Sequence, residues 1–231
     1  MEYNSLVTAI PKSWLKHIKQ TPAKTFVKIA DGFLRIGKKY KYIANLTCKE
    51  FYWQLVEQKL KCPTAIAKWE ETYYYVNFDW ELIYKTPYIV AKETSLQSLQ
   101  YQIINRFFPC KYIVNIWYST EDMNCSTCNI EDSIEHYFYH CPEMFQFWRE
   151  FGGWFNDVFN CTFKLGCLDI LFGVMDQTND DMLYVLNYCI LFAKQFIHSS
   201  KTQKKTCTIE FFVSKLKKGS KLKNVFQNVM V

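Results

Sequence analysis

Between Cys125 and Cys141 the chain crowds thiols and imidazoles into one short stretch. Cys125 and Cys128 stand two residues apart, His136 follows after seven more, His140 after three, and Cys141 directly behind it. Two thiolates at that spacing point into one tetrahedral site from a tight turn, and a histidine and a cysteine from the next turn can complete it. Using them together forces the backbone to fold back on itself. The preferred ligand set is Cys125, Cys128, His136 and Cys141, with zinc as the ion. His140 competes for the fourth position, because His-x3-His is a pairing used on the helices of finger domains. The seven-residue interval before His136 is shorter than the ~12 of those fingers and longer than that of a retroviral-type knuckle. A group of buried free thiols is the alternative reading of the same cluster. With protein candidates for all four positions no open coordination site is implied, which favours a structural over a catalytic metal.

Around that segment, only 7 glycines and 6 prolines punctuate 231 residues. A sandwich or barrel has to turn far more often, so the expected fold is mostly α: a helical domain with a small N-terminal β-hairpin and a knuckle-like Cys-Cys-His-Cys loop. With 49% hydrophobic residues the chain has ample core material, which excludes disorder over most of its length. Thr25 to Ile36 alternates around Ala30-Asp31-Gly32 and predicts the hairpin. Thr47-Cys48-Lys49-Glu50 has the form of a capping box opening a helix through Phe51, Leu55 and Val56. Pro63 ends that helix or begins the next, which carries Ile66 and Trp69.

Trp69 to Tyr88 shows no clean period and reads as loop plus a short helix. Leu96, Leu99, Ile103 and Phe107, widened by Ile104 and Phe108, predict a helix over 94–108 closed by Pro109. Pro142 opens a helix bearing Met144, Phe147, Trp148, Phe151 and Phe155, a stripe that reads as core rather than as a platform for bases. Further helices are expected over 179–198 and 208–218, the last ended by Gly219. The organisation expected is a basic segment 1–62, a helical core 63–160 containing the metal loop 125–141, and C-terminal helices with a basic tail, 161–231.

Ten cysteines would suit a disulfide scaffold, but Met1 to Gln20 has neither an unbroken apolar core nor a small-residue cleavage site. The thiols are therefore read as reduced and the setting as intracellular, nucleus or cytoplasm. The longest apolar run, Met182 to Ala193, is broken by Asn187 and falls short of the ~20 residues that span a bilayer, so no membrane partner is expected.

The net charge of +6 conceals a pattern. Residues 1–62 carry 12 Lys/Arg and 4 Asp/Glu, residues 63–193 carry 7 and 17, and residues 194–231 carry 9 and 1. A polyanion would meet the two basic flanks first. Candidate phosphate contacts are Lys38, Lys39 and Lys41, with Tyr40 and Tyr42 interleaved for stacking on unpaired bases, and Lys204, Lys205, Lys217, Lys218 and Lys221 at the other end, where Lys201, Lys215 and Lys223 add to the charge. Solvated, partly disordered termini are the plainer alternative.

The run CSTCNIEDSIEHYFYHCPEMFQFW resembles the zinc-binding segment downstream of the polymerase in reverse transcriptases of non-long-terminal-repeat retrotransposons, the long interspersed element type. There Cys, Cys, His and Cys precede a proline and a Phe-Trp pair. LQSLQYQIINRFF resembles a helix of the same family, with Gln102 where a lysine is usual, and YNSLVTAIPKSW, Leu46 to Tyr52 and PTAIAKW also look like the carboxy-terminal part of such proteins. The likeness runs from about residue 3 to beyond 215. It implies zinc, RNA or DNA as a non-specific partner, and the polymerase part of a retrotransposon protein as a second one.

The family's enzymes are not implied. A polymerase needs paired aspartates on a hairpin to hold two metal ions, whereas the only adjacent pair here, Asp180-Asp181, follows Asn179 at a helix start, and no endonuclease set can be assembled. The expectation is no catalytic residue. Three functions follow in order: a zinc-bearing nucleic-acid-binding accessory domain; a scaffold module with a purely structural metal that packs on a polymerase or host protein; and a hydrolase using Glu131, Asp132 or Glu135.

Overall fold

The computed structural model describes residues 32–36, 39–57, 62–119, 122–175 and 181–219. They fall into two units, one within Met1–Lys61 and the other within Cys62–Val231.

In the first unit, strand β1 (Phe33–Ile36) pairs antiparallel with β2 (Lys39–Tyr42), Phe33 opposite Tyr42 and Ile36 opposite Lys39. Phe33–Ile36, the second half of the expected hairpin, is thus a strand whose described partner follows it in the chain; Thr25 to Asp31 lie outside the described residues. The alternation Lys39-Tyr40-Lys41-Tyr42 is itself a strand signal. A short 3-10 turn, Ile43–Asn45, leads to helix α1 (Cys48–Glu57). Its capping box is formed as the residues predict: Thr47 Oγ1 accepts the Glu50 N–H at 3.2 Å, and Glu50 Oε2 accepts the Thr47 N–H at 2.9 Å. The Lys41 ammonium pairs with Glu50, tying β2 to α1. That ammonium, with the Thr47 donors behind it, pulls the Glu50 carboxyl down to about 2.

The regular elements described in the second unit are helical: α2 (Thr64–Thr72), α3 (Trp80–Val90), α4 (Thr94–Ile104), α5 (Lys111–Tyr118), a π-turn (His136–His140), α6 (Pro142–Phe159), α7 (Cys167–Phe172), α8 (Asp181–Thr202) and α9 (Ile209–Gly219). α8 is buried on most of its faces and packs against α3, α4 and α9, which is how a helix that is apolar nearly all round has to sit. α9 docks through Phe212, fully buried with ring centroids 5.5 Å from Phe151 and 5.8 Å from Phe196. All five apolar residues expected along α6 are buried. Because α9 packs on α6 and α8, residues on both sides of position 160 share one core. No helix among the described residues is long and apolar enough to cross a membrane.

Three departures from the expected elements have local causes. α4 stops at Ile104, where the Trp69 indole N–H takes the Ile104 carbonyl at 2.8 Å and Arg106 turns into the left-handed region at φ 56. Phe107, expected on the buried stripe, is partly exposed as a result. α3 runs a full eleven residues, started by Asp79, whose carboxylate accepts the Leu82 N–H at 3.0 Å. α5 and α7 are too short, at eight and six residues, for periodicity to reveal them.

Candidate metal centre

After α5 the chain forms a narrow loop. Asn124 and Glu131 face each other in an isolated antiparallel bridge, the Cys125 N–H donating to the Ile130 carbonyl at 2.7 Å and the Asp132 N–H to the Met123 carbonyl at 2.9 Å. At the tip the Asn129 N–H reaches the Cys125 carbonyl at 2.9 Å, with Asn129 at φ 58, a conformation that asparagine tolerates well. This closed turn holds Cys125 and Cys128 on one side.

The other two donors come from the π-turn. Ser133 Oγ accepts the His136 N–H at 3.1 Å, and the Cys141 N–H reaches back five residues to the His136 carbonyl at 3.1 Å. Cys141 then becomes the residue before Pro142, the first residue of α6. Cys125 Sγ lies 4.0 Å from Cys141 Sγ, Cys128 Sγ lies 3.1 Å from His136 Nε2, and all four donor atoms lie within 4.8 Å of one another. A tetrahedral ion with bonds of roughly 2.0–2.3 Å sets its donors roughly 3.5–3.8 Å apart, so the set is about 1 Å from closing on an ion. The four residues could hold a metal.

His140 is directed elsewhere. In a regular helix residues four apart share a face, but the extra residue of the π-turn breaks that register. His140 Nε2 lies 3.8 Å from Cys167 Sγ, which in turn is 3.9 Å from the Tyr73 hydroxyl.

Cys125, His136 and Cys141 are buried and Cys128 is half-buried. Burial works against ionisation of Cys125, yet the backbone N–H groups of Thr127 and Cys128 and the neighbouring thiols bring its pKa below the ordinary thiol value. Burial dominates at Cys141 and pushes that thiol up to about 11; the N–H groups of Glu143 and Met144 at the start of α6 face it and oppose the rise, short of hydrogen-bond geometry. Burial likewise lowers His136, which favours the neutral imidazole that a metal needs.

Other candidates have different positions. Asp132 accepts the Lys111 N–H at 3.2 Å and so caps α5, Glu135 pairs with Arg106 at 3.4 Å, and Glu131 is exposed in the bridge. Lys39, Lys41, Lys204, Lys205, Lys217 and Lys218 are exposed, with Lys41 neutralised by Glu50; Lys38 and Lys221 lie outside the described residues. Lys201, read with the basic flank, instead turns inward, and its ammonium donates to the Tyr137 carbonyl at 2.7 Å. His198, which carries no signal in the sequence, places Nδ1 3.2 Å from the Tyr137 hydroxyl. A surface hollow of about 700 Å3 lined by Phe78, Trp80, Leu168 and Phe172 shares no residue with the cysteine cluster.

Compared with protein-family models, curated proteins and solved structures, the chain matches none. Its chemistry is therefore read from the cluster itself. Three thiols and one imidazole, mostly buried and converging on one point, are a soft donor set with no position left over for substrate.

Proposed function

We propose that Cys125, Cys128, His136 and Cys141 hold a structural zinc ion, and that the chain is a nucleic-acid-binding accessory domain without polymerase or endonuclease residues, similar to the tail of a retrotransposon reverse transcriptase. The observation that carries the zinc reading is the convergence of all four donors within 4.8 Å. Thiolate-rich tetrahedral sets select zinc over harder cations, and zinc held by four protein ligands stabilises a fold rather than activating water. Bound there, the ion would pin the 122–133 loop to the start of α6. An intracellular setting, nucleus or cytoplasm, keeps such thiols reduced, in keeping with ten unbridged cysteines.

The nucleic-acid reading rests on exposed lysines around the second unit's C-terminal helices, Lys204 and Lys205 after α8 and Lys217 and Lys218 at the end of α9. Each lysine that neutralises a phosphate releases counterions and adds affinity without sequence preference. The test pairs metal analysis with a salt titration of single-stranded RNA binding. One zinc per chain is expected, and none in Cys125→Ser. RNA affinity should fall with salt, with a shallower slope when Lys204, Lys205, Lys217 and Lys218 are replaced by glutamine. Absence of zinc overturns the first half of the reading, and salt-indifferent affinity the second.

One observation favours the scaffold reading: α5, beside the metal loop, displays Ile116, Trp117 and Tyr118 to solvent, Tyr118 at 74% exposure. Loss of binding to a polymerase segment in Trp117→Ala, with RNA affinity unchanged, would decide for it.

A further inference from the structure

We infer that Lys201 is the positioning residue of the metal centre, a counter-ion on α8 that balances the thiolates and locks the π-turn in its ligating shape. The inference rests on the zinc reading above. A divalent ion held by three thiolates and a neutral imidazole carries one net negative charge, and burying that charge is costly unless a cation faces it.

Among the described residues, the charged groups around the cluster include carboxylates as well as cations. Asp132 acts on His136 with the same sign as the thiolates, and Glu143 does so on the adjacent Cys207. Arg106 is committed to Glu135 and lies over the Trp69 ring at 4.0 Å. Lys201 and His140 both act on His136 as cations, and the Lys201 charge is felt at Cys141 as well.

The hydrogen-bond accounting around Pro142 explains why a lysine stands there. The Cys141 N–H goes to the His136 carbonyl, so the next donor along the π-turn would be residue 142, and proline has none. The carbonyls of Tyr137 and Phe138 are left for side chains. Lys201 Nζ takes the Tyr137 carbonyl at 2.7 Å, and the Trp148 indole N–H takes that of Phe138 at 2.6 Å. The same ammonium sits 4.0 Å above the Tyr137 ring, and the Tyr137 hydroxyl meets His198 one helical turn earlier on α8. Tyr137, next to the ligand His136, is thereby held by α8 at its backbone and at its phenol. Partners of this kind outside the ligand shell typically change metal affinity about 10- to 100-fold when removed.

The experiment measures zinc affinity of the full chain by competition with a chromophoric chelator. Lys201→Met is expected to weaken zinc binding at least about tenfold, and Lys201→Arg, which keeps the charge, to stay within a few-fold of the parent. Lys201→Gln keeps a donor for the Tyr137 carbonyl without the charge; it should weaken zinc as well, and it replaces the methionine variant should that one fail to fold. Parent-like affinity in Lys201→Gln, or failure of Lys201→Arg to restore it, overturns the inference while leaving the zinc reading intact. No zinc binding by the parent chain overturns both.

Discussion

Cys125 Sγ and Cys141 Sγ lie 4.0 Å apart although they stand sixteen positions apart in the chain, and the segment between them contributes the other two donors of the cluster. The loop thus has two stable descriptions, four metal-free donors packed together or one ion binding all of them, and metal should decide between them. Stripping the metal with a chelator is expected to lower the thermal midpoint by about 10 °C or more, since each kcal/mol lost moves a domain of this size by about 2–4 °C. Calorimetry with and without chelator measures it, with Cys125→Ser as the permanent metal-free reference. A midpoint indifferent to chelation would mean that the thiols are ordinary core residues.

The separation of His140 from the cluster is open to a direct check. Its imidazole faces Cys167 at 3.8 Å. His140→Ala should therefore bind cobalt with the parent's absorption spectrum and stoichiometry, whereas Cys141→Ser should lose the charge-transfer intensity of one thiolate and bind more weakly. A spectrum altered by His140→Ala and unmoved by Cys141→Ser would reassign the fourth ligand.

Lys194 is fully buried in α8, donating to Gln100 Oε1 and, at 3.2 Å, to the Leu171 carbonyl, and both acceptors are neutral. Burial pushes its ammonium down to about 7. The unfolded chain keeps that proton up to about pH 10.4. Between those values the unfolded state binds the extra proton, so stability rises with pH, by at most about 1.4 kcal/mol per unit from this group. Below pH 7 the full cost of the buried charge remains. Higher up, buried thiols such as Cys189, whose pKa burial raises, act in the opposite sense. Urea titrations at pH 7.0 and 8.5 should show a rise in the parent that Lys194→Met lacks; equal slopes in the two would refute it.

Gly173 ends α7 at φ 96, and a Cβ there would meet Asn187 Oδ1 at 2.9 Å. Asn187 cannot easily yield, because it holds both the Val174 N–H at 2.7 Å and the Val174 carbonyl at 3.1 Å. Gly173→Ala adds a strained backbone to a broken clamp and is expected to cost about 1–3 kcal/mol. A denaturation midpoint unchanged from the parent would show that the loop after α7 relaxes freely.

The residues themselves disclose the elements whose causes are local. The α6 stripe follows from apolar spacing behind Pro142, and the α1 capping box from Thr47 and Glu50 standing three apart. The convergence of Cys125 and Cys128 with His136 needs only a turn and a short helical step. At the hairpin, Phe33–Ile36 forms a strand as its alternation predicts and pairs, among the described residues, with Lys39–Tyr42, whose own alternation also suited a stacking surface; Thr25 to Asp31 lie outside the described residues. α5 and α7 left no trace because one or two turns cannot establish a period.

By itself, then, the sequence determined a helical fold and the ligand set preferred for a metal, because tetrahedral spacing and helical periodicity act over a few residues. Only the tertiary structure decided that His140 leaves the cluster, that Lys201 turns inward and that Lys194 is buried. Each depends on hydrogen-bond partners and packing from far along the chain. Pro142 withholds a donor from the π-turn, and the ammonium that satisfies Tyr137 comes from 64 residues away.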